Sequence, residues 1–132
     1  IRAVAKKRGV ELFAAYGHQD FCDRNIDCGP DEILSYFKEA DFVVTDTFHG
    51  TIFSVITHTP FAVIKREQNA NKLTDLLDRL ALNDRFAAAH EDIARILGRD
   101  FDFDRIDAVR AAAREISLSY LRDNISVCRK VR

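Results

Sequence analysis

The sequence predicts an α/β fold in which a Rossmann-like parallel sheet is flanked by helices, and three observations carry that reading. Phe42–Thr45 and Phe61–Ile64 are short runs too apolar to present one face to water, as expected of strands covered on both sides in a parallel sheet. Two amphipathic stretches, Asp31–Glu39 and Asn71–Leu82, place apolar residues at helical spacing immediately before and after this pair. The segment joining the two strands, Thr51–Thr59, is ambiguous: its β-branched content favours strand, whereas Phe48, Ile52, Val55 and Ile56 recur at i, i+4, i+7 and i+8. Parallel neighbours need a crossover connection, which tilts the segment toward helix.

The other elements follow in order. Ile1 to Arg8 reads as the tail of a helix, with Lys6, Lys7 and Arg8 in its last turn and Gly9 as its stop. Val10–Ala15 is expected as a strand, His18–Arg24 as a loop, and Asn25–Cys28 as a small edge strand. Pro30, Asp31 and Glu32 open the helix Asp31–Glu39, because proline suits the first turn and carboxylates suit the positive end of the dipole. Lys65–Asn69 is a charged loop. In the helix at Asn71–Leu82, Leu73, Leu76, Leu77 and Leu80 form one stripe and Asp75/Arg79 an i,i+4 pair. Glu91–Leu97 is a short helix ended by Gly98. Phe101 and Phe103 lie in a linker and are expected to plug the core. A long helix from about residue 104 to 124 should bury Ile106, Val109, Ala113, Ile116 and Tyr120. The chain is therefore expected to be a single Rossmann-like domain over residues 1–132.

Composition narrows the function classes. Of 132 residues, 47% are apolar and 31% charged, ordinary for a globular domain. The formal charge of −1 comes from interspersed signs, so there is no electrostatic case for nucleic acid. Arg129, Lys130 and Arg132 read as a basic helix end. Cys22, Cys28 and Cys128 have no zinc-like spacing, no ligand cluster suggests a metal, and reduced thiols in a cytoplasmic protein are expected. No apolar run approaches the roughly 20 residues of a transmembrane helix. The start at Ile1, directly in a helical pattern, is expected of a piece of a longer protein.

The residues best placed for chemistry cluster after the first apolar strand, where ligands bind in doubly wound sheets. Gly50 and Thr51 would offer backbone N–H groups at a helix N-terminus, an anion site by geometry. His49 beside them could donate to a phosphate or carboxylate, act as general acid, or simply cap the helix. Asp46 could be a base or orienter of His49, or serve as the cap through its carboxylate. Thr45 and Thr47 carry hydroxyls suited to phosphate but equally suited to strands and caps. Lys65 and Arg66 end the next strand, and Asn71 and Lys72 open the following helix; all four would lie on the edge that carries His49. His18, His58 and His90 lack such context.

The run Ala40–Ser54, containing Thr45-Asp46-Thr47-Phe48-His49-Gly50-Thr51, followed by Pro60–Ile64 and by Asn71–Arg85, resembles the C-terminal part of the polysaccharide pyruvyl transferase family. The likeness runs over roughly Asp31 to Arg85. Lys72 stands where arginine is more usual and Thr47 where serine is common; lysine would lose a bidentate grip on phosphate. The resemblance implies that Thr51–His58 is helical and that the chain is the C-terminal lobe of a glycosyltransferase-B-like two-lobed fold. It further implies transfer of pyruvate from phosphoenolpyruvate, as donor and without a cofactor, to hydroxyls of a saccharide acceptor in exopolysaccharide biosynthesis. His49 takes the place of the family's histidine, for acid/base work or donor binding. A site between lobes would be incomplete here, so the isolated chain is expected to be inactive and the missing N-terminal lobe is an expected partner. The apolar stripe of the long helix, cut free, would offer a surface for self-association. The competing readings are a nucleotide-sugar-dependent glycosyltransferase of the same architecture and a non-catalytic interaction lobe.

Overall fold

The computed structural model describes residues 1–66 and 70–128, so the loop at 67–69 and the basic cluster Arg129, Lys130 and Arg132 lie outside the described residues. The elements are α1 (Arg2–Arg8), β1 (Phe13–Ala15), β2 (Arg24–Ile26), α2 (Pro30–Glu39), β3 (Val43–Thr45), α3 (Phe48–Thr57), β4 (Phe61–Ile64), α4 (Ala70–Arg79), β5 (Phe86–Ala87), α5 (His90–Leu97) and α6 (Phe103–Cys128). They divide into two compact units, residues 1–101 and 102–132.

In the first unit every strand pairing is parallel, as expected, but the strands form two sheets rather than one. β1 pairs with β2, Ala14 opposite Asn25. The second sheet has the order β3-β4-β5, with Thr45 opposite Val63 and Ile64 opposite Ala87. α3 is the crossover from β3 to β4, which resolves the ambiguous segment as helix and starts it earlier than expected, at Phe48. β4 is the central strand, and its Phe61, Ala62 and Val63 are fully buried. β3 lies at the edge of the sheet and is only half-buried, so its uniform apolarity overstated its cover. Side chains alternate along β4. Ala62 and Ile64 therefore share one face, where they join Val44, Ala87 and the α5 residues Ile93, Ile96 and Leu97.

β5 is the element that the sequence did not predict: two residues, too short for a periodicity, preceded by a 3₁₀ turn at Asn83–Arg85. That turn carries Arg85, which is buried, donates from Nη2 to the Asp100 carbonyl at 2.7 Å, approaches Asp84 at 3.3 Å and lies 3.8 Å above the ring of Phe101. Phe101 in turn meets Phe61, ring centroids 5.2 Å apart, so its expected place in the core is observed.

The helices end where local chemistry predicts. Gly9 closes α1 in the left-handed conformation at φ 67°. Gly29 N–H donates to Glu32 at the start of α2. α4 keeps the leucine stripe and the Asp75–Arg79 pair, 2.9 Å apart, but stops at Arg79, where Leu82 N–H returns to the Leu77 carbonyl. At α5, Asp92 accepts from the N–H groups of Ala88 and Ala89. Its carboxyl is held below the usual carboxylate range, first by the hydrogen bond from Arg95 and then by Ala89 N–H.

The second unit is the single helix α6, longer than expected. Of its predicted buried face, Ile106 is buried and Val109 half-buried, as expected, but Ala113 is exposed and Ile116 and Tyr120 are 73% and 67% exposed. Helical spacing marks which side of a helix would be covered but supplies no covering partner, which is why the pattern overstated the burial. Among the described residues no helix is long and apolar enough to cross a membrane, and no group of three or more His, Cys, Asp or Glu is placed to hold a metal. Cys22 and Cys28 are free thiols, and burial followed by the neighbouring Asp23 pushes the Cys22 thiol up.

One buried hydroxyl ties α2 to the entry of β4. Thr59 Oγ1 donates to the Phe37 carbonyl at 2.6 Å, and the residue is only 2% exposed. Thr59→Val keeps the shape and leaves that carbonyl without its donor, so it should lower stability by about 1–3 kcal/mol, measured by chemical denaturation. Thr57→Val keeps the Thr59–Phe37 bond and should cost less.

Candidate active site

The parallel order β3-β4-β5 puts the carboxyl ends of three strands on one edge, and the turn after β3 is the most elaborate feature there. Thr47 is the N-cap of α3: its backbone is extended and its Oγ1 accepts from Gly50 N–H at 3.0 Å. Thr45 Oγ1 accepts from Thr47 N–H at 3.1 Å and lies 3.0 Å from Thr47 Oγ1. Thr51 Oγ1 donates to the Thr47 carbonyl at 2.9 Å, and Thr51 N–H reaches the same carbonyl at 3.2 Å. Three threonines thus knit the strand end to the first turn of the helix.

This changes the parts given to the predicted residues. The N–H groups of Gly50 and Thr51, expected to face an anion, are already engaged by Thr47, and Thr51 is fully buried. The helix-end donors that remain among the described residues are the N–H groups of Phe48 and His49, in the first turn. The cap offered to Asp46 or His49 is filled by Thr47. Gly50 serves close approach instead: a Cβ there would lie 2.9 Å from both Thr45 Cβ and Thr47 Oγ1, and closer still to Thr45 Oγ1.

His49 is exposed, with its ring beside Phe48 and Phe53 at centroid distances of 6.0 and 6.2 Å. Phe53 is itself anchored edge-on against Phe37 at 5.6 Å. The imidazole thus rides on an aromatic support at the helix end, open to a ligand. Asp46 is ion-paired with Arg66 across the carboxyl ends of β3 and β4. Lys65 is exposed next to that pair, so Asp46, Lys65 and Arg66 share one edge with the start of α3. Asn71 and Lys72 are exposed in the first turn of α4, the helix that follows β4.

His90, set aside in the sequence for want of context, opens α5 at the same edge. With Ile64 and Ala87–Ala89 it lines a shallow depression of about 140 Å³ at the ends of β4 and β5. Its placement depended on the two-residue strand β5, which lies in the short apolar run Phe86–Ala89 after a helix stop.

Chemically, the edge offers an anion the positive end of a helix whose cap is a neutral hydroxyl, with a guanidinium, an ammonium and an imidazole nearby. Two substitutions separate scaffold from chemistry here. Gly50→Ala forces the threonine turn apart and should destabilise by about 1–3 kcal/mol in a denaturation measurement. His49→Gln, at an exposed position that caps nothing, should stay within about 0.5 kcal/mol of the parent.

No curated protein and no solved structure gives a significant match to the chain. A family model does. It begins within β1, ends just beyond β4, and so encloses the threonine turn, His49, Lys65 and Arg66 while leaving Asn71 and Lys72 outside. Residues 14–68 match the family described as polysaccharide pyruvyl transferase.

Proposed function

We propose that the chain carries the donor-binding half of a transferase that moves pyruvate from phosphoenolpyruvate to hydroxyls of a polysaccharide sugar. The observation that carries this reading is the exposed His49 in the first turn of α3, at the carboxyl end of β3 and within the segment that matches the family. The phosphate and carboxylate of the donor would face the helix end, Arg66 and Lys65. We place this lobe opposite a second one of a glycosyltransferase-B-like enzyme, which would bring most of the acceptor contacts.

In ketal formation, C3 of the enol gains a proton and becomes a methyl group. Two sugar hydroxyls form bonds to C2 and lose their protons, while the C2–O bond to phosphate breaks and phosphate leaves with the electron pair. One hydroxyl proton balances that gained by C3, and the other leaves with phosphate. Each transfer needs a group able to hold and release a proton near neutrality, and an imidazole is the side chain suited to that work. His49 is assigned this role. Among the threonines, Thr45, Thr47 and Thr51 hold the turn that presents His49, and Asn71 and Lys72 lie at the margin of the donor site.

The test uses the whole protein. His49→Gln should leave the melting temperature unchanged and lower pyruvyl transfer about 10²–10⁴-fold, the usual worth of a general acid–base group. Unchanged turnover would remove His49 from the chemistry. In a thermal-shift panel, phosphoenolpyruvate should stabilise the protein and nucleotide sugars should not; the reverse result would replace this reading with a glycosyltransferase.

A further inference from the structure

The ion pair between Asp46 and Arg66 is unequal. The Asp46 side chain is 23% exposed and sits on the first residue after β3, whereas the Arg66 side chain is 68% exposed and hangs two residues beyond β4. The strands are fixed neighbours, with Thr45 opposite Val63, so the carboxylate is a rigid mooring and the guanidinium a long, mobile group tied to it. An exposed pair of this kind adds little to stability. It does determine where the guanidinium points.

We propose that Asp46 is a positioning residue for the donor: its carboxylate holds the Arg66 guanidinium over the carboxyl edge of β3 and β4, so that the remaining N–H groups meet the anionic groups of the substrate beside the first turn of α3. This assignment rests on the phosphoenolpyruvate reading above. A guanidinium has five N–H donors in a fixed fork, and one carboxylate engages about two of them. The rest stay available for a second carboxylate or a phosphate. Without the mooring, an exposed arginine would have to lose its rotamer freedom when the donor binds; with it, that ordering is complete beforehand. The same carboxylate also brings a negative charge near an anionic donor, so positioning and repulsion predict opposite signs and can be told apart.

Phosphoenolpyruvate binding is measured by calorimetry on the whole protein, for the parent, Asp46→Asn, Arg66→Ala and the double variant, together with kcat and KM. Asp46→Asn should weaken binding about tenfold and raise KM by a similar factor with kcat within about twofold, a coupling of ordinary size for adjacent charged groups. Arg66→Ala should weaken binding at least as much, and adding Asp46→Asn to it should change nothing further. The melting temperatures of all four should agree, which excludes a merely structural effect. Equal or tighter binding by Asp46→Asn would show that the carboxylate only repels the donor and would overturn the proposal, as would a full additional loss in the Arg66→Ala background. If the parent itself shows no binding of phosphoenolpyruvate, the donor assignment fails and this inference falls with it; the other two negative outcomes leave the donor assignment standing.

Discussion

The contact on which the site depends is the approach of Gly50 to Thr45 and Thr47. A helix can follow a parallel strand after a two-residue turn only if its first turn comes in close over the strand end, and a side chain at position 50 would prevent that. With no Cβ in the way, Thr47 reaches Gly50 N–H, Thr45 reaches Thr47 N–H, and α3 starts at Phe48. The angle at which α3 leaves β3 then sets the packing of Phe53 on Phe37 and the burial of Thr51, Ser54 and Val55. The His-Gly pair is therefore one feature with two halves. Glycine lets the turn close, and closing the turn puts the histidine on its outer side.

The electrostatics of the edge follow from how each helix is capped. α3 is capped by a neutral hydroxyl and has no acidic residue in its first turn, and the nearby Asp46 carboxylate is paired with Arg66, so the positive end of its dipole is not occupied by a carboxylate of its own. α5 begins on the same edge with Glu91 and Asp92 in its first turn, and the Asp92 carboxylate occupies the N–H groups of Ala88 and Ala89. An anion is favoured at the first helix and opposed at the second. The depression beside His90 accordingly suits an uncharged portion of a ligand better than a phosphate.

Much of this was legible in the sequence, and the gaps have physical causes. The parallel pairing of β3 with β4 could be read because both runs are apolar throughout, and the helices α2 and α4 because their stripes repeat over several turns. The segment after His49 was hard because threonine, valine and isoleucine favour strands, yet within α3 the hydroxyls of Thr51, Ser54 and Thr57 turn back to main-chain carbonyls and are satisfied inside the helix. β5 escaped because two residues carry no period, and with it went the context of His90. The cap was left open among Asp46, His49 and Thr47 because all three are chemically able to do it; the backbone geometry selects Thr47. The exposed face of α6 shows the converse limit, since spacing alone reports a side of a helix and never what lies against it.

The division of labour around the turn is itself an argument for function. Thr45, Thr47, Gly50 and Thr51 are spent on holding strand to helix, and their hydrogen bonds close on one another. Among the described residues His49, Lys65 and Arg66 show no comparable hold on the scaffold: they are exposed, and the pair that Arg66 makes with Asp46 is of a kind that contributes little to stability. A fold needing only a tight turn could place any polar residues at these positions. Instead, an imidazole and two cations lie on the edge where α3 begins, one of the cations paired with the carboxylate of Asp46. Groups that the scaffold does not need, on an edge where a helix dipole favours negative charge, are what the proposed anionic donor would require.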